Sequence, residues 1–110
     1  MLNFKNYHSR AHPYPWKRKE PWPPKWEEDF GFAAANYPII ASEIGFGLKA
    51  GENIGPNHYA YQIIQYLESS HISWIAWVYY PEWGPNMLKS WDSYELTEMG
   101  DYFKKAMTGK

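Results

Sequence analysis

Two kinds of hydrophobic pattern follow one another along the chain, and each predicts a different element. Apolar residues three and four positions apart, as in Trp26, Phe30 and Ala33, predict amphipathic helices. These helices are expected at about 26–36, 57–69 and 95–107. Short aliphatic and aromatic runs predict strands. The strands are expected at "IIAS" (39–42), at "ISWIAWVYY" (72–80) and, from a weaker pattern, within "NYHSRAH" (6–12).

The strands alternate with the helices, which is typical of a parallel sheet with right-handed crossovers. Loops that follow strands are long and rich in Gly, Pro and aromatic residues, whereas the connections after helices, "NYP" and "SSH", are short. In a (β/α)8 barrel the loops after strands form the catalytic face. Such a barrel has about 250 residues, so this chain of 110 could supply only its last three βα units.

Proline-rich stretches and capping residues predict where the helices begin and where loops lie. The segment "HPYPWKRKEPWPPK" (12–25) is predicted to be a loop, because proline removes a backbone donor and restricts the residue before it. Asn57 is the expected N-cap of the second helix, and Thr97 or Ser93 that of the third.

Composition narrows the range of functions. Seven Trp, ten Tyr and five Phe make up 20% of the chain, a surplus common on surfaces that grip flat, partly apolar ligands. A net charge of −1 argues against a nucleic-acid partner or a polybasic membrane anchor. The absence of cysteine excludes disulfide and thiolate chemistry. No apolar stretch reaches transmembrane length, and "MLNFKNYHSR" does not resemble a signal peptide.

Glu43 is the main candidate for chemistry. It ends the apolar run "YPIIAS" and is followed closely by Gly45 and Gly47, which we expect to let the backbone turn away. From the pattern alone, Glu43 could equally be a loop acid or a residue near a helix N-terminus.

Other polar and aromatic residues have simpler interpretations. His8 and His12 are four residues apart, but Pro13 opposes a helix there and no third ligand is evident, so no metal site is predicted. The remaining residues are assigned to packing or to solvated surface: Trp16, Trp22 and Trp26 to packing, and His58 and His71 to helix ends or surfaces. Glu82 lies just after the last strand and could be a second acid, but a solvated loop charge is the simpler interpretation.

The segments "YPIIASEIGFG" and "ISWIAWVYYPEWGPNMLKSWDSYELTEMGDYFKKAM" together resemble the C-terminal part of family 5 glycoside hydrolases, the cellulase-type retaining enzymes. "AHPYP" matches that family's His-x-Tyr pair on strand six. The resemblance implies that Glu43 is the catalytic nucleophile and that His12 and Tyr14 hydrogen-bond near it. It also implies that Trp77 lines the sugar site, with Trp83 as a further sugar-binding residue.

The resemblance also implies a fold. The chain is expected to be α/β and to supply about strands six to eight of a TIM (β/α)8 barrel, incomplete as a lone chain. Residues 1–25 would form a strand and a Pro-rich loop, and 26–110 the βα units. Alternation along the last strand separates Trp74 and Ala76 from Ser73, Ile75 and Trp77, and the resemblance favours the Trp77 face as the barrel interior.

The implied function is retaining hydrolysis of β-glycosidic bonds in a β-glucan-type polysaccharide, with no cofactor or metal. The family's acid/base Glu follows an Asn, and no Asn-Glu pair occurs in the chain, so that residue and any secretion signal of the parent enzyme are expected upstream of Met1. The expected partners are a polysaccharide or oligosaccharide substrate and either the N-terminal part of the barrel or a second copy of the chain. The alternative is a non-catalytic carbohydrate-binding or barrel-completing fragment.

Overall fold

The computed structural model describes residues 10–48 and 52–109, which form a small α/β domain. Its elements, in chain order, are β1 (Arg10–Ala11), α1 (Trp22–Asp29), a 3₁₀ turn (Gly31–Ala33), β2 (Ile40–Ile44), α2 (Tyr59–Ser69), β3 (Ser73–Ala76) and α3 (Glu98–Thr108). The predicted alternation of strands and helices is confirmed over these residues. Residues 6–9 of the predicted first strand, His8 among them, lie outside the described ranges.

In the described part of the chain, the strands form a parallel sheet in which β2 lies between β1 and β3. Ala41 of β2 is level with Trp74 of β3, and Ile44 is level with Ala76. Three steps along β2 therefore match two steps along β3, and the extra residue makes a β-bulge between Ala41 and Ile44. A bulge of this kind bends a strand and re-aims its side chains.

Helices α1 and α2 pack together through aromatic side chains. Trp26 is 1% exposed and stacks on Trp22 with 6.3 Å between ring centroids. Both indoles meet the ring of Tyr59 edge-on, at 5.6 and 5.9 Å. Such rings bury large apolar areas, so this cluster is a main source of stability for a domain of this size.

The orientation of β3, which the sequence pattern left open, is fixed by Trp74. Its ring lies 5.8 Å from the ring of Phe103, a fully buried residue of α3. Ile75, one residue along, is 51% exposed. The face of β3 that carries Ser73 and Ile75 therefore points away from the helices.

Helix α1 begins at Trp22 and ends at Asp29, so the predicted boundaries at about 26 and 36 were wrong at both ends. Pro23 and Pro24 lie in its first turn, where a backbone N–H has no intrahelical partner and the fixed φ of proline suits a helical start. The proline-rich segment is consequently a loop only as far as Pro21.

Strand β3 is shorter than predicted, and β2 extends two residues further. Beyond Trp77 the backbone bonds to its own loop: the N–H of Val78 donates to the carbonyl of Pro85, and the N–H of Met87 donates to the carbonyl of Val78. Residues 78–80 are therefore not part of the sheet.

The N-cap of α2 is His58 and not the predicted Asn57, because Nδ1 of His58 accepts from the N–H of Ala60 at 3.1 Å. The predicted cap of α3 is confirmed at Thr97, whose hydroxyl accepts from the N–H of Gly100 at 3.1 Å. Across residues 10–48 and 52–109, every helix is too short or too polar to span a bilayer.

Candidate active site

Glu43 lies in the bulge at the carboxyl-terminal end of β2, the central strand. In a regular strand, Ser42 and Glu43 would face opposite sides of the sheet. Here Ala41 and Ile44 are completely buried, whereas the two residues between them are half-buried and both contact His12. The bulge thus brings two consecutive polar side chains to the same ring.

His12 joins these two side chains. Its Nδ1 lies 3.2 Å from Oε2 of Glu43, and its Nε2 lies 2.9 Å from Oγ of Ser42. The ring thus links the carboxylate of Glu43 to the hydroxyl of Ser42. His12 directly follows β1, and the pairing of Ala11 with Ala41 brings its ring to the bulge.

Tyr14 holds the other oxygen of the carboxylate. Its hydroxyl donates to Oε1 of Glu43 at 2.8 Å, and the residue is only 6% exposed. Burial, followed by the hydrogen bond to Glu43, raises the pKa of Tyr14 above its ordinary value, so the hydroxyl stays a donor across the neutral range. The neighbouring carbonyl of Pro13 accepts from the hydroxyl of Tyr59 at 2.7 Å, which ties this loop to α2.

Gly45 allows the loop after β3 to approach β2. The N–H of Trp77 donates to the carbonyl of Ile44 at 2.8 Å, and the peptide bond from Trp77 to Val78 is cis. A Cβ at Gly45 would lie only 2.7 Å from the carbonyl oxygen of Trp77. Neither Gly45 nor Gly47 has a positive φ, so neither adopts a backbone conformation that favours glycine. Gly45 is required by packing, and Gly47 has open space around it.

Trp77 and Trp83 form a stacked pair in the loop after β3. Their ring centroids are 5.8 Å apart with 25° between the planes. Trp83 also contacts the ring of Tyr80 at 5.3 Å but is 57% exposed, so the pair presents apolar ring surface to solvent. A flat indole can pack against the C–H face of a sugar ring, as it packs against other flat apolar groups.

The remaining residues that the sequence singled out lie apart from these contacts. Trp22 and Trp26 pack in the core, as predicted. Glu82 is exposed and accepts a hydrogen bond that raises the pKa of Tyr80. His58 caps α2, and His71 is an exposed residue after α2. Among residues 10–48 and 52–109, no group of three His, Cys, Asp or Glu has an arrangement that could hold a metal ion.

Two residues of this region, Ser42 and Trp16, were not predicted to belong to it. Ser42 gave no signal of its own, because its contact with His12 depends on the bulge. Trp16 was expected to pack, but it is 62% exposed and its ring stacks on Tyr14.

The arrangement suits nucleophilic chemistry. Tyr14 donates a hydrogen bond to one oxygen of the Glu43 carboxylate and Nδ1 of His12 lies 3.2 Å from the other, so the group has a fixed orientation at the end of a strand. Because the strands are parallel, the loops that carry His12, Tyr14 and Trp77 all leave the sheet at the same end as Glu43.

Comparison with known proteins finds solved structures that are similar to the chain. No protein-family model and no curated protein sequence matches the chain. The native structure of β-glucanase SdGluc5_26A from Saccharophagus degradans matches it with a TM-score of 0.78, 34% identity and 91% of the chain covered. The structure of the same enzyme in complex with cellotetraose matches with a TM-score of 0.78, 33% identity and the same coverage.

The chain spans about a third of the length of these solved structures, 33% in each case. The chain is therefore similar to one part of a glycoside hydrolase.

Proposed function

We propose that the chain supplies strands six to eight of a (β/α)8 barrel in a family 5 glycoside hydrolase that cleaves β-glucans with retention. In this account β1, β2 and β3 are those strands. The expected division between residues 1–25, with the first strand and the Pro-rich loop, and residues 26–110, with the βα units, falls inside α1, so the loop ends at Pro21. Support comes from the parallel strand order, from the loops at one end of the sheet, and from the similarity to a β-glucanase.

The main observation in support of the proposal is that two side chains hold the carboxylate of Glu43 in position. Tyr14 and His12 each bind one of its oxygens, at 2.8 and 3.2 Å. A retaining glycosidase needs a carboxylate of fixed position that attacks the anomeric carbon, because small displacements cost large factors in rate. We assign that attack to Glu43, which forms a glycosyl ester as the bond to the leaving oxygen breaks.

His12 and Tyr14 act on both halves of the reaction. In the first half they hold the carboxylate in the direction of attack. In the second half water adds to the anomeric carbon, and the electrons of the ester bond return to Glu43 as a carboxylate. Donors already in position stabilise that returning charge without reorganisation.

A second carboxyl group about 5–5.5 Å from Glu43 must protonate the leaving oxygen and then activate water. In the family that the chain resembles, this acid/base Glu follows an Asn, and the sequence contains no Asn-Glu pair, so we assign this role to another part of the barrel. The similarity to an enzyme solved with cellotetraose supports a β-glucan as the substrate class, and Trp77 with Trp83 would supply the apolar surface for a glucose ring.

One observation favours a second candidate, a non-catalytic carbohydrate-binding or barrel-completing role. Within the described sheet, β1 and β3 each pair with β2 only, so both are edge strands that can pair with another chain. Either the N-terminal part of a barrel or a second copy of the chain could occupy these edges.

A substrate with an activated leaving group distinguishes the catalytic role from the binding role, because its cleavage does not need the second carboxyl group. Dinitrophenyl β-cellobioside needs no proton donor, because dinitrophenolate is a stable anion when it leaves. We expect the chain to release about one dinitrophenolate per molecule in a burst, and then to turn over slowly or not at all because the base that activates water is absent. Cellotetraose should bind but remain uncleaved.

The matched control is Glu43→Gln, which keeps the size of the side chain but removes the nucleophile. We expect it to bind cellotetraose and to release no dinitrophenolate. A folded wild-type chain that binds cellotetraose and gives no Glu43-dependent burst would overturn the catalytic proposal in favour of the binding role. Steady cleavage of cellotetraose by the chain alone would overturn the assignment of the acid/base to another part of the barrel.

A further inference from the structure

Trp16 is an exposed aromatic residue that stacks on Tyr14 of the candidate site. Its ring lies 4.5 Å from that of Tyr14, with only 12° between the planes. One face of the indole is covered by this contact, yet the residue is 62% exposed. The other face is therefore open to solvent.

The partner of Trp16 is itself rigidly held. Tyr14 is 6% exposed, and its hydroxyl is bound to Glu43. Its ring edge also lies 3.4 Å from the position that a Cβ on Gly45 would occupy. Because Tyr14 cannot move freely, the stacked indole of Trp16 is preorganised, and a ligand that stacks on it would lose little binding energy to ordering.

The strand order separates Trp16 from the stacked pair of Trp77 and Trp83. Trp16 follows β1, the tryptophan pair follows β3, and Glu43 ends the strand between them. Neighbouring strands lie about 4.8 Å apart, so the loops after β1 and β3 leave the sheet about 10 Å apart. A ligand that contacts both loops must be elongated and must cross Glu43.

We propose that the open face of Trp16 binds a further glucose ring of an extended β-glucan chain, on the β1 side of Glu43. This inference rests on the proposed function, since it requires that another glucose ring of the same chain binds at Glu43. Glucose rings in a β-linked chain present flat C–H faces, and an indole that is preorganised and half-covered offers one such ring a complementary surface. Trp16 thus makes the site favour longer oligosaccharides over cellobiose.

The test measures binding of cellobiose and cellotetraose to the full chain and to Trp16→Ala by calorimetric titration. We expect Trp16→Ala to weaken cellotetraose roughly 3- to 10-fold and cellobiose less than about 2-fold, as loss of one stacking contact predicts. Trp16→Phe, which keeps a flat ring, should recover most of the loss. Phe32→Ala is the matched control, because Phe32 is 46% exposed and lies in the 3₁₀ turn that leads towards the amino-terminal end of β2.

Two kinds of failure are distinguishable. If Trp16→Ala binds both sugars like the wild type, or weakens both equally, the Trp16 proposal is wrong, and a Glu43-dependent burst still supports the proposed function. If Trp16→Ala selectively weakens cellotetraose but no burst occurs, the extended binding surface stands and the catalytic role fails. Equal effects of Phe32→Ala and Trp16→Ala would also overturn the proposal.

Discussion

Ser42 and Glu43 are consecutive residues, yet both contact the ring of His12, at 2.9 and 3.2 Å. Consecutive residues of a regular strand point to opposite faces, so the contact pair exists only because β2 contains a bulge. The bulge thus lets the end of β2 present both the carboxylate of Glu43 and the hydroxyl of Ser42 to the ring of His12.

Removal of the Ser42 hydroxyl should slow the chemistry without weakening binding. In Ser42→Ala, Nε2 of His12 loses its partner and the ring is free to rotate away from Glu43. A hydrogen bond of this kind contributes about 0.5–1.5 kcal/mol, which corresponds to a roughly 2- to 12-fold slower dinitrophenolate burst. The half-saturation concentration should not change, and Ser42→Thr should restore the rate. A change in affinity with an unchanged burst rate would contradict a positioning role.

Loss of the Tyr14 hydroxyl should be more severe, because it donates directly to the carboxylate at 2.8 Å. Hydrogen bonds to charged groups contribute about 1.5–3 kcal/mol, so Tyr14→Phe should slow the burst by roughly 10- to 150-fold. The phenyl ring keeps its stack with Trp16, so affinity for cellotetraose should remain close to that of the wild type. Tyr61→Phe, on the surface of α2 and 40% exposed, is the control and should leave the burst intact.

Gly45 and Gly47 should respond in opposite ways to alanine. At Gly45 a Cβ would lie 2.7 Å from the backbone oxygen of Trp77 and 2.7 Å from Cγ of Pro85, so overpacking should destabilise the chain by about 1–3 kcal/mol. At Gly47 a Cβ would meet nothing within 4 Å, and the change should remain within about 0.5 kcal/mol. Urea denaturation of both variants measures the difference. Equal stabilities would show that the loop after β3 does not depend on Gly45.

Alkaline pH should destabilise the fold through Tyr59. Burial raises the pKa of Tyr59 above its ordinary value, and its hydroxyl donates to the carbonyl of Pro13. Above about pH 10 the unfolded chain loses this proton while the folded chain keeps it, so the free energy of unfolding falls as pH rises. Tyr59→Phe should cost about 1 kcal/mol at neutral pH and should show a shallower decline above pH 10. Denaturation at a series of pH values checks both, and an unchanged slope would contradict this linkage.

The sequence predicted the larger features because they depend on local periodicity. The stripe of α2 and the apolar run of β2 are properties of neighbouring residues, and both elements formed close to their expected positions. The start of α1 differs from the prediction because proline usually breaks a helix, whereas in a first turn it costs no hydrogen bond.

Features that depend on contacts between distant residues could not be predicted in this way. The bulge at Glu43 is a relationship between β2 and β3, and the exposure of Trp16 depends on the stack with Tyr14. The resemblance to a known family indicated His12 and Tyr14. These residues lie 31 and 29 positions before Glu43 in the chain, so no local pattern could have predicted their contacts with it.

The most direct test of the central claim is to trap the sugar on the nucleophile. A dinitrophenyl cellobioside with fluorine at C2 of the reacting sugar forms the ester with a retaining nucleophile but releases it very slowly. After proteolysis of the treated chain, we predict a peptide that carries one fluorocellobiosyl group on Glu43, and no such peptide from Glu43→Gln. A label on a different carboxylate, or no label on a folded chain that binds cellotetraose, would contradict the account.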